Sequence, residues 1–338
     1  MRRRDLLKAA GTVAAAAAFG PNAIGATPAD TLPKLSGALT LYLGRGEGGL
    51  YENVIAAIEA RNPDLELKIR RGPTAALAQA LVAEASAGIR RADLFWAVDA
   101  GAVGFVREAG LARALPADLT AQLQPAFRYD GWAPITGRIR TLPFNSDRIS
   151  RADIPHDIMA LPESGLRIGW APAYASFQSF VTAMRLLEGD AATADWLRRT
   201  QATATSYAGE LGVVLGVERG EVDVGFANHY YTLRLKSGRP DAKVALAFTR
   251  GDAGSLINAS GVVALSAQPM AKNFVRYLLS EEVQSYLARE AFEIPLAAGM
   301  EPPPGLAALD SLTPPDVDLT QLADLRPTLE LMRSVGVL

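Results

Sequence analysis

Between residues 38 and 108, strand-like and helix-like patterns alternate three times, and after a break the alternation begins again near residue 165. Ala38–Leu43 reads as a strand and Leu50–Glu59 as a helix with Val54, Ile55 and Ile58 on one face. Leu65–Ile69 alternates apolar and polar with period two, as a half-buried strand does, and Thr74–Ser86 is an alanine-rich helix. Ala92–Trp96 is a short buried strand, followed by a helix over Ala100–Glu108. In the second series Gly165–Trp170, Val222–Ala227, Lys243–Phe248 and Gly261–Leu265 read as strands. Phe177–Leu187, Ala192–Arg199, Lys272–Leu279 and Glu281–Arg289 read as helices. Such alternation predicts an α/β protein whose sheets are mostly parallel and carry helices on their faces. Two series in 338 residues, 49% of them hydrophobic, predict two domains, each with its own core.

Composition narrows the chemistry. The chain has no cysteine, which excludes disulfides, thiolate metal sites, cysteine nucleophiles and a lipid-modified N-terminal cysteine. It has two histidines, His156 and His229, so a histidine-rich zinc site is excluded. The formal net charge is −2, without the basic excess of a nucleic-acid binder.

The first residues read as an export signal. Arg2-Arg3-Arg4-Asp5-Leu6-Leu7-Lys8 is basic, Ala9–Phe19 is apolar, and small residues follow around Ala23–Ala26. The apolar run is too short to span a bilayer. Arg3-Arg4 ahead of Leu6-Leu7-Lys8 matches a twin-arginine signal, used for proteins exported already folded. Residues 1–26 are therefore expected to be removed, leaving the mature chain in a bacterial periplasm.

The segment richest in chemistry is VDVGFANHYYTLRL, Val222–Leu235. A buried strand runs into Asn228, a favourable helix N-cap, and Tyr230-Tyr231 fall in the first turn after it. Neighbours in a strand point to opposite faces, whereas at a strand-to-helix turn two adjacent phenols can converge. Two phenolates offer hard anionic oxygens suited to a highly charged cation such as Fe(III). A phenol ordinarily titrates near pH 10, and a bound cation can strip its proton. From the pair alone, two packing aromatics, one buried and one at a rim, are the other reading. Gly44-Arg45-Gly46-Glu47-Gly48-Gly49 resembles a glycine-rich loop after a strand, but no Walker phosphate loop is present.

The chain resembles the ferric-iron-binding periplasmic proteins of ABC importers, whose Asn-x-Tyr-Tyr segment supplies two tyrosine ligands. Asn228-His229-Tyr230-Tyr231 matches it, and the likeness extends to Leu41–Glu47, Ala92–Trp96, Thr136–Arg140, Gly169–Pro172, Gly220–Asp223 and Gly254–Asn258. The resemblance implies a two-lobed, type II periplasmic-binding-protein clamshell. Its lobes are expected at 27–138 plus 262–310 and at 139–261, with 311–338 packing on one of them. Hinges are expected near Arg138–Leu142 and Ser260–Ala264.

The same resemblance implies iron captured with a companion anion such as carbonate. The family's histidine and glutamate ligands fall on Gly46 and Val98 here, and the third tyrosine of another subgroup falls on Phe177. An asparagine that holds the anion in some members falls on Glu210, while Asn228 matches another. Tyr174, just before a helix where the family binds the anion, is the candidate third phenolate. Ser176 and the helix amides after it could hold the anion. Arg45 and Arg140 are its candidate cationic partners, since guanidinium pairs bidentately with such groups. Glu47, Asp99 and Glu210 are the carboxylate candidates.

These readings give a monomeric, non-enzymatic solute-binding protein that takes Fe(III) to a membrane permease and binds no nucleic acid. The alternative within the same fold is a small organic anion or phosphonate held by Arg45, Arg140 and helix amides. A periplasmic hydrolase has only scattered Ser, Glu and His to draw on, and fold does not fix function.

Overall fold

The computed structural model describes residues 25–44 and 49–338. The export-signal reading on 1–26, apart from its last two residues, and the candidates Arg45 and Glu47 lie outside the described residues.

The chain opens with three strand–helix steps. These are β1 (Gly37–Gly44), α1 (Leu50–Arg61), β2 (Leu65–Gly72), α2 (Thr74–Ser86), β3 (Leu94–Ala97) and α3 (Ala100–Glu108). In α1, Tyr51, Val54, Ile55 and Ile58 are buried, the spacing of one helical face. The start of α1 follows Gly49, whose φ of 89° lies in the left-handed region open to glycine. After the short α4 (Ala117–Thr120) comes β4 (Trp132–Phe144), a 13-residue strand in which every residue but Arg138 is buried.

The second series comprises β5 (Ile168–Trp170), α5 (Ala175–Glu188), α6 (Asp190–Gln201), β6 (Thr205–Ser206), α7 (Glu210–Glu218), β7 (Val224–Gly225), β8 (Ala227–Asn228), α8 (His229–Gly238) and β9 (Ala245–Ala247). The chain then passes through β10 (Ile257–Ala264), α9 (Pro269–Leu278), α10 (Glu281–Tyr286) and β11 (Ile294–Pro295) and ends in α11 (Arg326–Ser334).

The residues form two compact units. One takes the chain up to Gly137 together with Ala259–Pro303; the other takes Arg138–Asn258 together with Pro304–Leu338. The chain therefore passes from one to the other inside β4, inside β10 and after Pro303. In the first unit β1 lies between β2 and β3, parallel to both, while β10 runs antiparallel to β3 and β11 antiparallel to β4. In the second, β5 is parallel to β6 and β7, while β4 is antiparallel to β7, β8 and β9. The strand–helix–strand steps supply the parallel ladders, and the long strands β4 and β10 add antiparallel ones, so each sheet is mixed.

The expected single strand over Val222–Ala227 is two short ones. β7 pairs with β5 and, through Val224, with β4 opposite Phe144, whereas β8 pairs with β4 alone, opposite Arg140 and Thr141. Between them Phe226 donates its N–H to the Gly169 carbonyl at 3.1 Å and turns its ring into the core. That core is aromatic. Phe226 lies 5.6–5.7 Å, centroid to centroid, from Phe177, Phe180 and Trp196, and Phe177 stands edge-on to Trp170 at 5.6 Å. Such offset and edge-to-face pairs add to the stabilisation from burial. The C-terminal α11 rests on α5 and α6, where Thr182 and Thr328 share a buried hydrogen bond of 2.8 Å.

Candidate functional site

Three helices of the second unit begin next to one another, and the side chains at their starts make the site. The register of β4 against β8 sets it up. Arg140 pairs with Asn228 and Thr141 with Ala227, and the Thr141 hydroxyl donates to the Ala227 carbonyl at 2.8 Å. This fixes Arg140 beside the residue that precedes α8.

The phenols come next. The hydroxyls of Tyr174, the residue before α5, and Tyr231, in the first turn of α8, are hydrogen-bonded at 2.8 Å. The rings of Tyr230 and Tyr231 are 4.6 Å apart and tilted by 49°. Tyr230 is 6% exposed; its hydroxyl accepts from Asn228 Nδ2 at 3.3 Å and the Arg234 guanidinium lies over its ring at 4.6 Å. Tyr174 and Tyr231 are half-buried. The Tyr231 phenol is held well above its ordinary value, first by burial, then by the neighbouring Tyr230 and by the hydrogen bond with Tyr174. Without a cation, Tyr231 therefore keeps its proton at any ordinary pH.

Beside the phenols lies a buried ion pair. Arg140 Nη1 donates to Glu210 Oε1 at 2.5 Å, and the two side chains are 3% and 0% exposed. The Ser176 hydroxyl also donates to Oε1, and the Asn228 N–H donates to Oε2 at 2.8 Å. Arg140 Nη2 donates to the Ser176 carbonyl at 2.5 Å. Arg140, expected as a partner for an external anion, is thus spent on Glu210, and so is the Ser176 hydroxyl. Asn228 occupies the N-cap position of α8 without capping it: its side chain turns to Tyr230 instead.

The remaining candidates have other partners. Asp99 lies in the first unit and caps α3, accepting the Ala102 N–H at 2.9 Å. Phe177 is fully buried among Trp170, Phe180 and Phe226 and presents no oxygen. Tyr174 stands three residues earlier, about one helical turn, just ahead of α5. His229 is buried, with Nδ1 accepting the Ile139 N–H at 3.2 Å. His156 is exposed beside Arg151. Among the described residues no three His, Cys, Asp or Glu side chains gather as a metal site.

Sequence reasoning weighed Glu210 as a ligand and missed that it neutralises Arg140. Two opposite charges at the starts of a strand pairing and a helix, 70 residues apart, carry no local signal.

The family described as bacterial extracellular solute-binding protein matches residues 39–293. The chain is 30% identical over 302 residues to the Fe(3+)-binding periplasmic protein of Serratia marcescens, covering 85% of this chain and 88% of that protein. It is 28% identical over 258 residues to the major ferric iron-binding protein of Neisseria meningitidis, covering 73% and 78%. The crystal structure of iron-bound HitA from Pseudomonas aeruginosa superposes with a TM-score of 0.77 at 30% identity, covering 88% of this chain and 99% of that one.

Proposed function

This chain belongs to the bacterial extracellular solute-binding proteins, and from that premise we propose that it captures ferric iron in the periplasm for delivery to a membrane permease. The observation that carries the reading is the Tyr174–Tyr231 hydroxyl pair with the Tyr230 ring beside it. One of the two hydroxyls donates to the other at 2.8 Å, and a trivalent cation that displaces their protons gains two hard oxygen donors already held together. Relatives at 28–30% identity are named for binding ferric iron, which supports the same reading.

Each residue then has a task. Tyr174, Tyr230 and Tyr231 are the proposed metal ligands. Asn228 orients Tyr230 through its side chain and holds Glu210 through its N–H. The aromatic core around Phe177 fixes the start of α5 and with it Tyr174. The other reading, a small organic anion or phosphonate, loses its described cation, because Arg140 is already paired.

The test is ferric loading of the mature protein, followed by its phenolate-to-iron charge-transfer colour. The wild type is expected to colour, and Tyr231→Phe and Tyr174→Phe are each expected to weaken iron binding by at least about tenfold, the worth of roughly one lost charge-assisted contact. A wild-type protein that stays colourless at saturating iron overturns the proposal.

A further inference from the structure

A companion anion from solution does not find Arg140 or the Ser176 hydroxyl vacant, because a carboxylate of the chain already engages both. The starts of α5, α7 and α8, helices of 14, 9 and 10 residues, meet at Glu210: it is the first residue of α7, and it takes hydrogen bonds from Ser176 of α5 and from Asn228 before α8. Helix N-termini carry partial positive charge, and Arg140 adds a full one to the same place. Such a focus attracts an anion, and a buried guanidinium left without one is strongly unfavourable.

Glu210 meets this need completely. Oε1 accepts from Arg140 and Ser176 and Oε2 accepts from Asn228, which uses three of the roughly four acceptor positions of a carboxylate. A carboxylate so occupied, with its side chain fully buried, is a counter-charge and not an open metal ligand. It is also mechanically tied to the phenols. Asn228 bonds Glu210 with its N–H and Tyr230 with its side chain.

We infer that Glu210 is this protein's own counter-anion, so that ferric iron loads onto the phenols without an exchangeable anion from solution. The inference rests on the ferric reading above. A neutral residue at 210 would leave Arg140 and the helix starts to recruit a small oxyanion such as bicarbonate or phosphate.

The experiment uses ferrous perchlorate oxidised by carbon-dioxide-free oxygen in a non-coordinating buffer, with and without millimolar bicarbonate or phosphate. The wild type is expected to develop its full colour without either anion and to change less than about twofold when one is added. Glu210→Gln is expected to colour weakly alone and to gain at least about tenfold in iron affinity with bicarbonate, the value of roughly one charge-assisted hydrogen bond recovered. A wild type that colours only when an anion is supplied overturns the inference and leaves the ferric reading standing. No colour under any condition overturns both. A Glu210→Gln protein that binds iron as the wild type does, indifferent to bicarbonate, also overturns the inference. The wild-type measurement decides the matter even where Glu210→Gln does not fold.

Discussion

At positions 174 and 177 two aromatics at one helix start have opposite fates. Phe177 is fully buried against Trp170, Phe180 and Phe226, while Tyr174, just ahead of α5, keeps its hydroxyl on Tyr231. The difference is one of depth: the helix start carries 174 out of the aromatic core that 177 enters. Phe177→Ala should therefore cost about 3–5 kcal/mol of stability, seen as a lowered denaturant midpoint. Phe177→Tyr should not recruit a further iron ligand. Its added hydroxyl would enter an apolar cluster and cost about 1–3 kcal/mol for want of a partner. A stronger iron colour in Phe177→Tyr would show that the side chain at 177 reaches the phenols after all.

At the level of elements, helix starts do three different jobs in this fold. The start of α3 is satisfied by Asp99, which accepts the Ala102 N–H. The starts of α5, α7 and α8 are instead joined through Glu210. The start of α8 also carries the tyrosine pair, since Asn228 gives its side chain to Tyr230 rather than to the helix. Asp99→Ala should then behave as the loss of a cap, destabilising by about 1 kcal/mol in thermal or chemical unfolding while iron binding is unchanged. Weakened iron binding in that variant would give Asp99 a part in the site.

For the whole molecule, the pH dependence of iron retention follows from where the phenols sit. Burial and the neighbouring Tyr230 raise the Tyr231 phenol above its ordinary value, so the iron-free protein carries the proton throughout the physiological range. Iron must then displace one proton for each phenolate it takes, and acid favours the iron-free form. Affinity should fall by roughly one decade per pH unit for each phenol that gives up its proton. Competition against a chelator of known protonation, repeated over a pH series, measures the slope. A slope of zero would mean that no phenol loses a proton on binding and would remove the tyrosines from the metal. The sheet chemistry is arranged to hold these groups still: β4 is buried along nearly its whole length, and its register with β8 places Arg140 opposite Asn228.

Most of the strand and helix order is legible in the chain, because periods of two and 3.6 residues are written in neighbouring side chains, but the long strand β4 and the helices α7 and α11 are not among the elements read that way. The helices at Thr74–Ser86 and Ala100–Glu108 were legible to the residue for this reason. So was the place of the tyrosine pair at a strand-to-helix turn, since the buried run, the Asn and the two phenols are contiguous. The tertiary structure alone decided which phenols meet and which charges cancel. Tyr174 reaches Tyr231 across 57 residues, and Arg140 reaches Glu210 across 70. Partners at that separation are chosen by strand register and by close packing of the aromatic core, and no local pattern in the chain records that choice.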